Sequence, residues 1–237
     1  IPDEIVWEVS YQEIGPHDTV ADLVRTALFR VSVSELLDEG DEPAHFIRGA
    51  DAIARIRGEA SHWIVDQEGR PRAAIRHEET GNSLMLPDRV TGAFAPVHRF
   101  GDIEGAKAII PVGLTAQGSR LAVLAYGGRN TMGLYEFDHV ARKLGPALFV
   151  HDQFDVRDVV RDPLTGELVA AVYDEKGIAR HHYFPAYHDR FLSKLPAEWR
   201  RPSIRILNGT ADRQVFVFAE SSDTQPEAFY VRDRSGG

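Results

Sequence analysis

The feature that most constrains this chain is a superperiod in its turns. The turn glycines Gly69, Gly118 and Gly166 recur 49 and 48 residues apart, and a turn around Asp212 follows 46 residues later. Each sits in the same local pattern of strand, polar turn and strand: WIVDQEGRPRAAI, VGLTAQGSRLAVLAY, VVRDPLTGELVAAVY and RILNGTADRQVFVFA. A second turn trails each first one by a strand length, at Gly81 (Glu79 to Asn82), at Gly127 or Gly128, at Gly177, and at Ser221-Ser222-Asp223. A third strand follows in each copy, as SLML, GLYEFD, HHYFPA and AFYVRD. Glycine suits these places because hairpin turns call for positive φ, while the flanking β-branched and aromatic residues favour strands.

Repeats of ~40–50 residues holding about four strands are the sequence signature of β-propeller blades. A β-sandwich or two stacked meanders would also give short strands and regular turns, but neither carries such a superperiod. The expected fold is therefore all-β, a partial or small propeller of about four to five blades. The units fall roughly at 1–60, 61–105, 106–152, 153–200 and 201–237. The first is the least regular: EIVWEVSY and TALFRVSV read as strands of one partial blade, with the acidic loop DEGDEP after them. One segment breaks the pattern. Ala186 to Trp199 (AYHDRFLSKLPAEW) places Phe191, Leu192 and Leu195 at helical spacing before Pro196, so a short amphipathic helix is expected near 186–195, covering a strand edge or a gap between blades.

Composition removes several functional classes. The formal charge is −9, with 36 Asp and Glu against 27 Lys and Arg, which argues against a phosphate-binding surface and against a nucleic-acid partner. No apolar run approaches the ~20 residues of a membrane-spanning helix, so no membrane partner is expected. The start IPDEIVWEV is neither basic nor an apolar signal core, and no address can be read from it. Without cysteine there is no disulfide framework, thiolate metal site or cysteine nucleophile. Ile1 is not an initiator methionine, and the chain reads as cut, processed or renumbered.

Individual residues carry little chemistry on this reading. His181, His182 and His188 are imidazoles that suit zinc, but a regular strand sends His181 and His182 to opposite faces, and structural histidines are expected. His151, Asp152, Asp155, Arg157 and Asp158 form a charged connector for which salt bridges are the ordinary explanation. Glu39, Asp41 and Glu42 read as a solvated acidic loop, Trp7, Trp63 and Trp199 as core, and Asn208-Gly209-Thr210 as a turn that happens to match a glycosylation acceptor.

The order of several short motifs carries a resemblance. W-x-x-D-x-x-G-x-P-R-A from Trp63 to Ala73, D-P-x-T-G-E-L-V from Asp162 to Val169, H-Y-F-P before FLSKLP, and the hairpin ending AFYVRDRSGG together resemble the propeller of bacterial prolyl-oligopeptidase-family serine peptidases. The likeness is to the dipeptidyl-aminopeptidase and acylaminoacyl-peptidase side of that family, and it spans most of Ser61 to Gly237. It implies a two-part enzyme in which the propeller caps a C-terminal α/β-hydrolase domain of the same parent protein and screens short peptide substrates on their way to a Ser, Asp and His triad. No G-x-S-x-G elbow occurs in these residues, so no catalytic, cofactor-binding or metal-binding residue is carried over. No serine of this chain is expected to supply the parent's peptidase nucleophile. Family propellers have seven or eight blades, and seven need well over ~300 residues at this period. A shorter arc would leave blade edges open, so some self-association is expected. Two other classes stand beside this one: a free-standing protein- or sugar-binding propeller, and a propeller enzyme using carboxylates in its own channel.

Overall fold

The computed structural model describes residues 4–12, 24–32, 52–102, 105–115, 120–162, 166–190, 204–210, 214–220 and 226–233. The turn glycine Gly118, the turns at Asp212 and Ser221–Asp223, the acidic residues Glu39, Asp41 and Glu42, and the helical residues 191–199 lie outside them.

Five antiparallel sheets follow one another along the chain, and the fold is all-β of the β-propeller type. The first sheet holds β1 (Glu4–Gln12), β2 (Val24–Ser32) and β3 (Ala52–Arg57) in that order. The second holds β4 (Ala60–Val65), β5 (Pro71–Glu78), β6 (Gly81–Pro87) and β7 (Phe94–Phe100). The third runs β8 (Ile109–Leu114), β9 (Leu121–Ala125), β10 (Gly133–Asp138) and β11 (Lys143–Phe149). The fourth contains β12 (Val156–Arg161), β13 (Leu168–Glu175) and β14 (Ile178–Tyr183), and the fifth β15 (Ile204–Gly209), β16 (Val215–Glu220) and β17 (Ala228–Asp233). Two compact units divide the chain: residues 1–113 with 137–143, and residues 114–136 with 144–237.

The superperiod of the sequence is a superperiod of hydrogen bonds. Each first hairpin is closed by one backbone bond at the equivalent place, from Asp66 N–H to Arg70, Thr115 to Arg120, Asp162 to Glu167 and Thr210 to Val215, at 2.8–3.0 Å. A second repeated device lies after the third strand. Asp88 Oδ1 accepts from the Val90 and Thr91 amides, and Asp138 Oδ1 accepts from those of Val140 and Ala141, so an aspartate folds each tip on to itself.

The inner strands explain the long apolar runs. Ala73, Ala74 and Ile75 in β5, Leu121 to Ala125 in β9 and Leu168 to Val172 in β13 are buried in succession rather than alternately, as in strands with both faces covered. In the first unit Ile56, Ala60, Ala74 and Met85 pack with Trp63 and Phe94, whose rings meet edge to face at 5.2 Å. In the second unit Val169, Tyr187 and Phe216 form a core with Val160, Tyr183 and Ile206. Tyr187 belongs to the helix α1 (Pro185–Arg190), which opens on a proline, where the missing N–H costs no bond. The helix is thus anchored between the fourth and fifth sheets by Tyr187, a residue the helical spacing of Phe191, Leu192 and Leu195 did not single out.

The second hairpin of the second sheet is tighter than its turn residues suggest. Glu78 pairs with Gly81 and His77 with Asn82, leaving only Glu79 and Thr80 as the loop, so Gly81 and Asn82 already belong to β6. That register has a consequence for the side chains it brings face to face.

Candidate functional site

The second sheet carries at one end a chain of four polar side chains. Ser61 pairs with Ile75, His77 lies two residues beyond Ile75, and Asn82 pairs with His77, so Ser61, His77 and Asn82 stand on one face of three adjacent strands. Ser61 Oγ lies 2.7 Å from His77 Nε2, and His77 Nδ1 lies 2.7 Å from Asn82 Oδ1. Asn82 Nδ2 donates in turn to the Gly101 carbonyl at 2.6 Å. At the other end His62 Nδ1 lies 2.8 Å from the same Ser61 Oγ.

Proton positions in this chain follow from its last link. A carbonyl oxygen only accepts, so the Asn82 amide must turn its NH2 to Gly101 and its oxygen to His77. His77 Nδ1 therefore carries the hydrogen, and in the neutral ring Nε2 is left to accept from the Ser61 hydroxyl. Ser61 Oγ then presents a lone pair to His62, whose Nδ1–H donates to it. All four groups are satisfied by one direction of donation.

His62 reaches Ser61 because the backbone is bent there. The pairing of β4 with β5 is irregular between Ser61 and Ile64, and His62 sits at φ 53°, a left-handed conformation uncommon outside glycine. Burial, with the nearby His77 second, lowers the pKa of His62 below the ordinary imidazole value and favours its neutral form. On the opposite face Glu78 accepts from Ser83 and from Arg76, and these bonds, opposed by partial burial, hold its carboxyl below the usual range.

A second feature lies in the second unit, where rings are gathered rather than scattered. Phe149 stacks on His182 at 4.1 Å and contacts Tyr173 at 5.7 Å, while His151 stacks on Tyr173 at 4.8 Å and contacts Phe154 at 4.9 Å. His182 is exposed and the other four are half-buried. Three ion pairs are made by residues of the same strands and connector: Arg180 with Glu175 at 2.9 Å on the face that carries Tyr173 and His182, Arg157 with Asp174 at 2.6 Å on the opposite face, and Arg129 with Asp152 at 2.6 Å. Partial burial lowers the pKa of His182, so a neutral ring stacks on Phe149.

His181 and His182 point to opposite faces of β14, with His182 on Phe149 and His181 beside Tyr183 at 6.0 Å. The side chain of His188 lies outside the described residues, among which no three His, Asp or Glu side chains gather as metal ligands. The connector is a set of bonds: Asp152 pairs with Arg129, Asp155 accepts the Met132 amide at 2.7 Å, Arg157 pairs with Asp174, and Asp158 accepts the Val159 amide. Trp63 is half-buried and packs against the core of the first unit; the side chains of Trp7 and Trp199 are outside the described residues. Asn208 accepts from Gly209 and Thr210 Oγ1 from Gln214 and Val215, which is turn geometry.

The Ser61 chain was not found by sequence reading, although a signal was there. The turn at Gly81 is legible in the sequence. With the loop shortened to Glu79-Thr80, the same hairpin puts His77 opposite Asn82. The placement of Ser61 opposite Ile75, the His62 bulge and the Gly101 carbonyl needed the three-dimensional structure.

No protein-family model matches this chain, and no curated protein sequence matches it. Among solved structures the chain is similar over 98% of its length to 32% of a prolyl endopeptidase studied for the role of inter-domain dynamics in catalysis and specificity, at 15% identity and a TM-score of 0.52. It is also similar to TolB from Acinetobacter baumannii, over 97% of this chain and 51% of that one, at 14% identity and a TM-score of 0.47. A third is the β-propeller domain of the Trilobed protease from Pyrococcus furiosus, over 98% of this chain and 66% of that one, at 8% identity and a TM-score of 0.45. The chain thus spans about half the length of TolB and about a third of that of the prolyl endopeptidase.

Proposed function

We propose that this chain is a propeller domain of a prolyl-oligopeptidase-like serine peptidase, which gates access of short peptides to an α/β-hydrolase domain of the same parent protein. The domain itself contributes no residue to that peptide hydrolysis. The observation that carries the reading is the fold shared with about a third of a prolyl endopeptidase, taken with the ordered motifs from Trp63 to Gly237. A rigid set of sheets beside a hydrolase admits short flexible peptides and turns away folded chains, because a folded chain cannot thread a passage narrower than itself.

The test is made on the parent protein. Its coding sequence is read for about 300 residues beyond Gly237, enough for an ordinary catalytic domain. A strand, a G-x-S-x-G turn and a helix, followed by Asp and then His, are expected. The parent should cleave short peptides and spare folded proteins, and deleting this domain should abolish that discrimination. A stop codon close after Gly237 would overturn the reading.

The ring ribbon of Phe149, His151, Phe154, Tyr173 and His182 favours a second reading, a free-standing protein- or sugar-binding propeller. Partly exposed rings beside an internally paired Arg180 and Glu175 suit a neutral ligand with apolar faces. Loss of glycan or peptide binding on Tyr173→Ala, with the fold retained, would support it.

A further inference from the structure

We propose that Ser61 is an activated nucleophile, with His77 as its general base and Asn82 as the residue that positions that base, and that this site cleaves small activated carboxylic esters. The proposal is independent of the peptidase reading and rests on the first unit of this chain alone.

A nucleophilic serine needs a base within hydrogen-bond reach and a third group that fixes the base in the accepting tautomer. Both distances here are 2.7 Å, inside the range such sites use. The tautomer is set by Asn82, itself fixed by Gly101, so His77 Nε2 faces Ser61 with a lone pair. His62 adds a donor: its Nδ1–H lies 2.8 Å from Oγ, held there by a left-handed backbone at a bulge. Strain of this kind at a polar cluster points to a role for the residue that bears it. The Ser61–His62 bond is exposed to solvent, so the site is open rather than enclosed. An open site suits a small ester with a good leaving group and gives no grip on a long peptide.

The step balances without a co-reactant. Ser61 Oγ bonds to the ester carbonyl carbon while its proton passes to His77 Nε2, and the imidazolium is held by the Nδ1–H bond to Asn82. The carbon–oxygen bond to the leaving group breaks, and His77 returns the proton to the departing oxygen. Water, deprotonated by the same nitrogen, then releases the carboxylic acid and restores Ser61.

The experiment treats the 237-residue chain with a fluorophosphonate and, separately, with p-nitrophenyl acetate. One phosphonyl adduct is expected, mapping by mass spectrometry to Ser61, together with catalytic release of nitrophenol. His77→Ala should slow both by roughly 100-fold, the usual scale of a general base, and added imidazole should restore part of the ester cleavage. Asn82→Ala should lower kcat with little change in KM, and Asn82→Asp, which still accepts from Nδ1–H but no longer donates to the Gly101 carbonyl, should restore only part of it. Ser61→Ala should lose the adduct while keeping its melting temperature. Should Ser61→Ala fail to fold, Ser61→Cys serves instead: its thiol should be alkylated by iodoacetamide faster with His77 present than in the Ser61→Cys, His77→Ala double variant. An adduct at another residue, no adduct at all, or labelling of Ser61 at an unchanged rate in His77→Ala would overturn the proposal.

Discussion

His77 Nδ1 lies 2.7 Å from Asn82 Oδ1, and the two residues face each other only because the intervening loop is two residues long. Asn82 is in turn locked by the carbonyl oxygen of Gly101, an atom that only accepts. Nitrogen NMR should therefore find neutral His77 with its proton on Nδ1. Asn82→Leu removes the acceptor and should release the ring into a mixture of both tautomers. A wild-type ring protonated on Nε2 would contradict the assigned direction of the whole chain.

Asp66 predicts an acid-sensitive fold. Burial works against its charge, but hydrogen bonds from the Arg70 amide, the Arg72 side chain and the Glu68 amide outweigh that and hold its carboxyl below the ordinary Asp value. A group whose folded pKa is depressed contributes stability that is fully present above its unfolded pKa. That stability is lost as pH falls through the folded value, because the unfolded chain takes up a proton that the native state refuses. Asp66→Asn keeps one acceptor oxygen but loses the charge, so it should cost about 1 kcal/mol at neutral pH after solvent screening, and it should flatten the fall in unfolding free energy below about pH 5. Denaturant unfolding at a series of pH values checks it; an unchanged slope would remove Asp66 from the account. Glu78 has a depressed pKa of the same sign, so some slope should remain.

Asp66 also shows what a sequence reveals of this fold and what it conceals. Its place in the superperiod was legible, because glycine, the residue that best tolerates the positive φ of such turns, recurs at fixed spacing in the sequence at Gly69, Gly118 and Gly166. Strand order within a sheet follows from short hairpins, so it too was legible. The site was not. Ser61, His62, His77 and Asn82 are common residues on a half-buried strand, and nothing in their spacing marks them until register is known to the residue. A bulge at His62 shifts that register locally, and no turn residue announces it. The ring ribbon was hidden for a similar reason, since β11, the connector and strands β13 and β14 each give only one or two of its rings.

The paired glycines of the third sheet separate conformation from space. Gly127 and Gly128 both have positive φ, at 59° and 80°, so alanine at either pays a left-handed backbone of roughly 1–2 kcal/mol. At Gly128 the added Cβ meets nothing, whereas at Gly127 it would lie 2.7 Å from the Tyr135 hydroxyl and 2.8 Å from its ring. Gly127→Ala should therefore lower the melting temperature at least twice as much as Gly128→Ala. In a Tyr135→Leu background the gap should narrow. Equal costs in the wild type would mean that the tyrosine gives way freely.

Two phenylalanines on neighbouring strands of the fifth sheet should differ sharply. Phe216 is 3% exposed against Val169 and Tyr187, and Phe229 is 65% exposed. Phe216→Ala should cost about 3–5 kcal/mol from lost burial and the cavity left behind. Phe229→Ala should stay within about 0.5 kcal/mol, as an exposed substitution does. Urea unfolding of both variants decides it, and a small cost at Phe216 would mean that the α1 contact through Tyr187 does not hold this core together.

Exposure on β17 leads to the last prediction. β17 is an outer strand of its sheet, paired with β16 alone among the described residues, and Phe229, Tyr230 and Val231 are 65%, 45% and 71% exposed in succession. Apolar residues on both faces of an outer strand, beside backbone groups that can pair with another strand, form a template for edge-to-edge association. We propose that the isolated 237-residue chain associates with a second copy through this strand. Sedimentation velocity should then show a concentration-dependent rise in sedimentation coefficient. Val231→Lys places a charge on that edge and should suppress the rise, because pairing two copies would bury or juxtapose like charges, while the melting temperature of the monomer stays nearly unchanged. Lys substituted at Val140, which is 66% exposed on a turn rather than a strand, should leave association as it was. A monomer at all concentrations, or equal association in both variants, would rule out β17 as the contact.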